Sequence, residues 1–234
     1  MTKGMMSPLA IAMLIAFVCA PSIDAFAETP ACELGKELRT ALGLGPMELA
    51  AMGVDEAHET SIINAATDYC DLNRETIEPL IVAVQTARQT TMGNYETGAS
   101  VDDSDNALVS AIADLAAAAG DAVSTMQGSL NGNQQTWQSN VQANLLLDTS
   151  IAALDLTSEQ RTSLRAAQAT RDLVGRHHKN RKNYAMVGSA AATFEEAVAG
   201  ILNETQQSQR ASLQSALGTN LGTALQSESN NCAE

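Results

Sequence analysis

Apolar positions recur at helical spacing along most of the chain, and nowhere does an apolar–polar alternation of period two persist. Leu34, Leu38 and Leu42 fall four apart, which predicts a short helix from Cys32 to Leu44 closed by Gly43 and Gly45. Pro46 suits the first turn of a second short helix through Met52. Asp55 caps a third, with Ile62, Ala66 and Tyr69 on one side, and Pro79 opens a fourth. Gly93 to Asn106 reads as a loop by composition. Its Asp102, Asp103 and Asp105 lack the glycine and closing glutamate of a calcium loop, so a solvated turn ending in a helix cap is the better reading. Leu108, Ile112, Leu115, Ala119, Ala122, Met126 and Leu130 then alternate steps of four and three, the spacing of a coiled-coil seam. Trp137, Val141 and Leu145 mark another helix. A long one runs from Ser158 to about Tyr184, a further one from Ala190 through Ile201, and a last one from Asn203 to about Leu221. The expected fold is all-α.

The helix starts carry the most specific signal. Thr157 followed three residues later by Gln160 is a capping box: the hydroxyl accepts from a free N–H of the first turn, and the amide reaches back to the Thr N–H. Leu156 stands just outside the cap. Laid against itself, the chain repeats this device. Leu49–Ile62 matches Ile151–Leu164 without a gap, setting Val54, Asp55 and His58 on Leu156, Thr157 and Gln160. Leu130–Leu145 matches Leu202–Leu217, setting Leu130, Asn131 and Gln134 on Leu202, Asn203 and Gln206. Asp, Asn and Thr are all good N-caps, so all four positions read as structural caps. Their order implies a duplicated unit: residues 46–147 and 148–222, after an N-terminal helix within 28–45 and before a tail, 223–234, expected to be disordered.

A Leu-Thr-x-x-Gln motif opening amphipathic helices in a small exported chain resembles the Spy/CpxP (LTxxQ-motif) family. Leu156, Thr157 and Gln160 match it fully; Leu202 and Gln206, and Leu130 and Gln134, match with Asn in place of Thr; Val54, Asp55 and His58 form a degenerate copy. The resemblance implies a periplasmic, ATP-independent chaperone or envelope stress-response protein, non-enzymatic, whose long helices form an antiparallel bundle or a curved layer. It implies a homodimer, or here a monomeric pseudo-dimer, because one duplicated chain could supply what two subunits do. Some relatives bind zinc or other metals.

Export has its own signal. Met1–Lys3 gives a short positive start, residues 8–20 an apolar run too short to span a membrane, and Ala25-Phe26-Ala27 a small-x-small cleavage pattern. Residues 1–27 are therefore read as a signal peptide, and the mature chain as periplasmic or secreted. Lys3 and Asp24 cancel, so the net charge of −14 belongs to the mature chain and argues against nucleic acid as a partner. Aromatics are only 3%, as suits closely packed Ala/Leu/Ile/Val helices. Cys32, Cys70 and Cys232 remain after cleavage. A hairpin of the first helices would set Cys32 and Cys70 at one end, so that pair is the expected bridge, with Cys232 free or joining two chains.

Seven of the twelve basic residues left after cleavage lie on the helix that Thr157 opens: Arg161, Arg165, Arg171, Arg176, Lys179, Arg181 and Lys182. Its apolar stripe runs Leu164, Ala167, Val174 and then stops, so the distal half is expected to leave the core. That half is either a solvated overhang or a client-binding surface built from Arg171, Leu173, Val174, Arg176, Lys179, Arg181, Lys182, Tyr184 and Met186. Its partners would be unfolded or envelope proteins. His177 and His178 are candidate metal ligands only if the fold adds a third. No nucleophile elbow, zinc-protease motif or phosphate loop occurs, and no cofactor is called for. A metal-binding or metal-sensing role, and a purely scaffolding one, are the alternatives to client binding.

Overall fold

The computed structural model describes residues 30–231, so the expectations for residues 1–27 and for the last three residues lie outside it. The described residues form ten helices and no strand. They are α1 (Ala31–Ala41), α2 (Pro46–Ala51), α3 (Glu56–Thr97), α4 (Asp102–Ala118), α5 (Gly120–Gly128), α6 (Gly132–Ala143), α7 (Thr149–Ala152), α8 (Ser158–Asn180), α9 (Tyr184–Ile201) and α10 (Glu204–Asn231). The all-α expectation holds. No single helix among them is long and apolar enough to cross a membrane.

The long α3 is the spine. Leu34 and Leu38 of α1 are fully buried in the core that α1 forms with α3, and each such leucine stabilises the fold by about 1.5–3 kcal/mol. The approach is close at Gly35, where a Cβ would lie 3.0 Å from the Thr67 backbone. On the other side α4 runs back along α3: Thr91 donates to Ser104 O at 3.0 Å, and Tyr69 donates to Ala118 O.

Three sequence-level boundaries need correction. Pro79 does not start a helix. The chain breaks earlier, at Asn73 (φ −123°, ψ 23°), whose side-chain amide donates to Tyr69 O, and the helix continues through Pro79. A proline ring crowds the carbonyl four residues before it, and a break just ahead of that carbonyl gives it room. The 93–106 segment is mostly helical as well. Only residues 98–101 link α3 to α4, with Gly98 in the left-handed region at φ +69°. Asp102, Asp103 and Asp105 sit in the first turn of α4, where the helix dipole favours carboxylates. Finally, the Leu108–Leu130 seam is not one rod: α4 and α5 meet at an angle of 87° around Ala119. Its seven apolar residues are all buried nonetheless, because the bend keeps both arms on one core.

All four caps form. The side chains of Asp55, Asn131, Thr157 and Asn203 accept from the backbone N–H of His58, Gln134, Gln160 and Gln206 at 2.9–3.2 Å. The three glutamines each return a bond to the cap N–H, whereas His58 turns its ring to the Asp55 carboxylate at 2.6 Å. Each cap contributes about 1 kcal/mol. Val54, Leu130, Leu156 and Leu202, one residue before each cap, are buried. Around Asn131 and Asn203 the agreement extends further. Gln135 donates to Gln127 O and Leu130 O, and Gln207 donates to Ala199 O and Leu202 O, the same offsets in both places.

The buried apolar residues divide into two clusters. One gathers α1–α5 around α3; the other joins α7, the start of α8, Phe194 and Val198 of α9, and Leu213 of α10. Trp137 of α6 packs against both. The expected disordered tail is corrected through residue 231. Helix α10 continues to Asn231, Ala224 is buried, and Glu228 is paired with Arg39 of α1.

Candidate functional site

Helix α8 has two halves of different character. Polar side chains bolt the first half to the body. Arg161 Nε donates to Asn144 Oδ1 at 2.8 Å, and Arg165 Nη1 donates to Asp105 Oδ2 at 2.7 Å. Gln168 accepts from Asp148 N at 2.8 Å and donates to Leu146 O. That last bond backs a strained spot, since Leu146 has φ 81° without being glycine. Arg171 ends the bolted half, bonded to Asp148 and Asp172 with its guanidinium 4.4 Å above the Phe194 ring. These carboxylates hold the Arg171 guanidinium charged more firmly than usual.

Beyond Arg171 the helix leaves the core, as its failing apolar stripe implied. Arg176 reaches Glu96 near the end of α3, an exposed pair of little energetic weight. Among the described residues Lys179, Arg181 and Lys182 form no ion pair and are exposed. The chain reverses at Lys182 (φ 56°), and Asn183 caps α9 by accepting from Met186 N at 3.4 Å. Helix α8 thus stops at Asn180 rather than Tyr184, and α9 starts at Tyr184 rather than Ala190. Together they make a two-helix arm.

Two open grooves follow this arm. The first, of about 310 Å³, lies between α8 and α9 and is lined by Ala167, Val174, Met186, Ala190 and Phe194 among others, with Arg171 at its wall. The second, of about 580 Å³, lies where the arm meets Met92 and Glu96 of α3, and includes Arg171, Arg176, Lys179 and Val187. Of the candidate client-binding residues, the structure brings Arg171, Val174 and Met186 to the first groove, and Arg171, Arg176 and Lys179 to the second. Leu173 is 47% and Tyr184 67% exposed, and neither lines a groove. Arg181 and Lys182 sit in the turn at the tip. The small residues Ala190, Thr193 and Ala197 of α9, which also line the first groove, were not among the candidates. Their i, i+3, i+7 spacing on α9 was visible, but small residues signal close packing as readily as a groove.

Two ligand readings are corrected. His177 and His178 stack edge to face with centroids 5.0 Å apart, and no group of three His, Cys, Asp or Glu gathers among the described residues. Among the described residues no third ligand joins the two histidines. The expected Cys32–Cys70 bridge does not form either. Cys70 is a free, fully buried thiol, pushed up to about 12 by desolvation, whereas Cys32 is disulfide-bonded elsewhere.

A charged cluster lies inside the body, away from the arm. Arg39 is 1% exposed and donates to Leu44 O and to Glu228. Buried Glu59 feels the charge of the same guanidinium without a hydrogen bond to it. Desolvation holds its carboxyl above the usual range despite Arg39, and Glu228 adds repulsion. A raised carboxyl means the folded chain takes up the proton before the unfolded one does. The penalty of its charge is therefore full above the raised value and fades as pH falls through it. Glu59→Gln is expected to melt higher than the parent at pH 7. The gap should close as pH is lowered into the glutamate range, as a series of thermal melts would read. A variant that melts lower at pH 7 would show that Arg39 needs this charge.

The two motif glutamines of the C-terminal half also meet. Gln160 Nε2 donates to Gln206 Oε1 at 3.0 Å and to Ile201 O, and Gln206 Nε2 donates to Asp155 O. The motif therefore does two things: it caps each helix and ties the two starts together. In the N-terminal half only Gln134 makes such a link, to Met52 O, since His58 is turned outward. No family model, no curated protein and no solved structure matches this chain.

Proposed function

We propose that the protein is an exported, cofactor-independent binding protein of the chaperone or envelope stress-response type, which holds non-native protein segments along the α8–α9 arm. The observation that carries this is the arm itself. An apolar groove with Val174, Met186 and Phe194 in its lining opens at the edge of the second cluster on a polar-bolted stalk, and further along the arm Lys179, Arg181 and Lys182 form no ion pair among the described residues. An exposed apolar strip with a basic rim suits unfolded, acidic-rimmed segments, because area and charge act together without demanding one sequence. The N-terminal segment favours export, and the capping motif favours kinship with the Spy/CpxP family. The bonds shared around Asn131 and Asn203 favour a duplicated unit. The acidic balance of the rest of the chain confines attraction for such clients to the arm.

The test is suppression of light scattering by an aggregating client, using the chain from Glu28 onward. The double substitution Val174→Asp, Met186→Asp is expected to reduce the protection roughly tenfold, the equivalent of about 1.4 kcal/mol of binding. Its melting temperature should stay near the parent's, since neither residue is in the core. Undiminished protection would move the client surface off the arm, and no protection by the parent itself would end the chaperone reading.

A further inference from the structure

We infer that the second groove binds a single-chain anionic amphiphile: a fatty carboxylate whose tail lies against α3, α8 and α9 and whose head meets Arg176 and Lys179. Three helices build the wall. Met92 comes from the end of α3, Gly175 from α8, and Val187 and Ala191 from α9, so most of the exposed surface there is apolar. None of these four residues belongs to either buried cluster. The volume of about 580 Å³ lies within the range of about 300–1,000 Å³ typical of small-ligand sites.

The groove stays open although its walls are joined across it, Arg176 of α8 being paired with Glu96 of α3. Gly175 shows why. A Cβ there would meet nothing within 4 Å, whereas a Cβ at Gly35 would lie 3.0 Å from the Thr67 backbone. Gly35 is small where a helix presses on it. Gly175 is small where nothing presses, at a cost in helix stability relative to alanine. An apolar wall gives water few partners, so the space left suits a slender hydrocarbon chain.

The charges select the head. Arg171 is held by Asp148 and Asp172, and Arg176 gives Nη2 to Glu96 and keeps its other donors free. Lys179 stands one turn beyond Arg176 on the same edge of α8, exposed and with no ion pair among the described residues. A carboxylate between Lys179 and Arg176 answers that one open charge. A doubly charged head would leave a negative charge facing Glu96 and Asp172, and a cationic head would face Lys179. The α8 wall from Asp172 to Lys179 runs about 10 Å, which suits a chain of middle length. Val174 and Met186 line the first groove and not this one, so the inference stands apart from the client reading.

Calorimetric titration of the purified protein with dodecanoate, below its micelle-forming concentration, tests this. One equivalent is expected to bind, about fifteenfold tighter than decanoate, since each buried methylene is worth about fourfold. Dodecylamine and the Lys179→Glu variant should each show binding about tenfold weaker. Gly175→Leu, which fills the floor, should remove the heat without lowering the melting temperature, because leucine is the better helix former. If that variant does melt lower, Lys179→Glu and the chain-length series decide. The variant Val174→Asp, Met186→Asp should bind dodecanoate like the parent. A protein that binds dodecanoate yet protects no client therefore sinks the chaperone reading alone. No heat, several equivalents that Gly175→Leu leaves untouched, or equal binding of dodecylamine would overturn the inference. So would loss of client protection or altered sedimentation in Gly175→Leu when the parent takes up no dodecanoate, since the groove would then belong to a protein segment or to a second copy.

Discussion

Arg39→Met is expected to lower the free energy of unfolding by about 3–5 kcal/mol, the range for removing one partner of a buried ion pair. The side chain is enclosed between α1, the Leu44 carbonyl and the end of α10, and its charge acts on both Glu228 and Glu59. Methionine fills much of its volume yet leaves two carboxylates without a counter-charge. The damage should be electrostatic, and so reversible by design. Adding Glu228→Met and Glu59→Gln to the variant is expected to restore most of the loss, because a well-packed apolar replacement of a whole buried pair is close to neutral. Urea denaturation of the three proteins would measure both steps. A loss below about 1 kcal/mol for the single substitution, at the level of an exposed pair, would mean that α10 does not clamp α1 in this way.

Asn144→Ala is expected to cost about 3 kcal/mol or more, since each buried polar group left unpaired loses about 1–3 kcal/mol. Asn144 is 1% exposed. Its amide donates to Ala152 O and Leu154 O, both at 2.8 Å, while its Oδ1 accepts from Arg161 at 2.8 Å. One side chain thus ends α6, fixes the turn of α7 and anchors the foot of the arm. Asn144→Asp should be worse than Ala, because it turns a carboxylate oxygen toward two carbonyls. Denaturation of both variants gives the order. If Asp proves milder than Ala, the Arg161 contact outweighs the two carbonyls.

What could be read in the sequence was local. The four caps were legible because a cap needs only a side chain and the N–H three residues on, and all four formed. The apolar spacing named the core residues of α4 and α5 correctly, but it could not show the bend at Ala119, since alanine carries no mark of a break. Composition misled at 93–106, where Gly93 and Asn94 stay helical because the segment packs back against α4 through Thr91 and Ser104. The tail misled for the opposite reason. Glu228 looked solvated beside serines and asparagines, and the arginine that holds it lies 189 residues away. The arm was half legible: the loss of the apolar stripe after Val174 announced that α8 leaves the core. That Arg161, Arg165 and Arg171 would be consumed by Asn144, Asp105 and Asp148 depended on contacts with other helices.

Trp137 has a use that its place in α6 creates. It is the only tryptophan in the chain, and its ring packs against both apolar clusters at once. Loosening either cluster bares the same indole to water. Its emission spectrum is therefore a built-in optical gauge of both halves. One step in that signal marks a molecule that melts as a unit, and two steps mark halves that let go in turn.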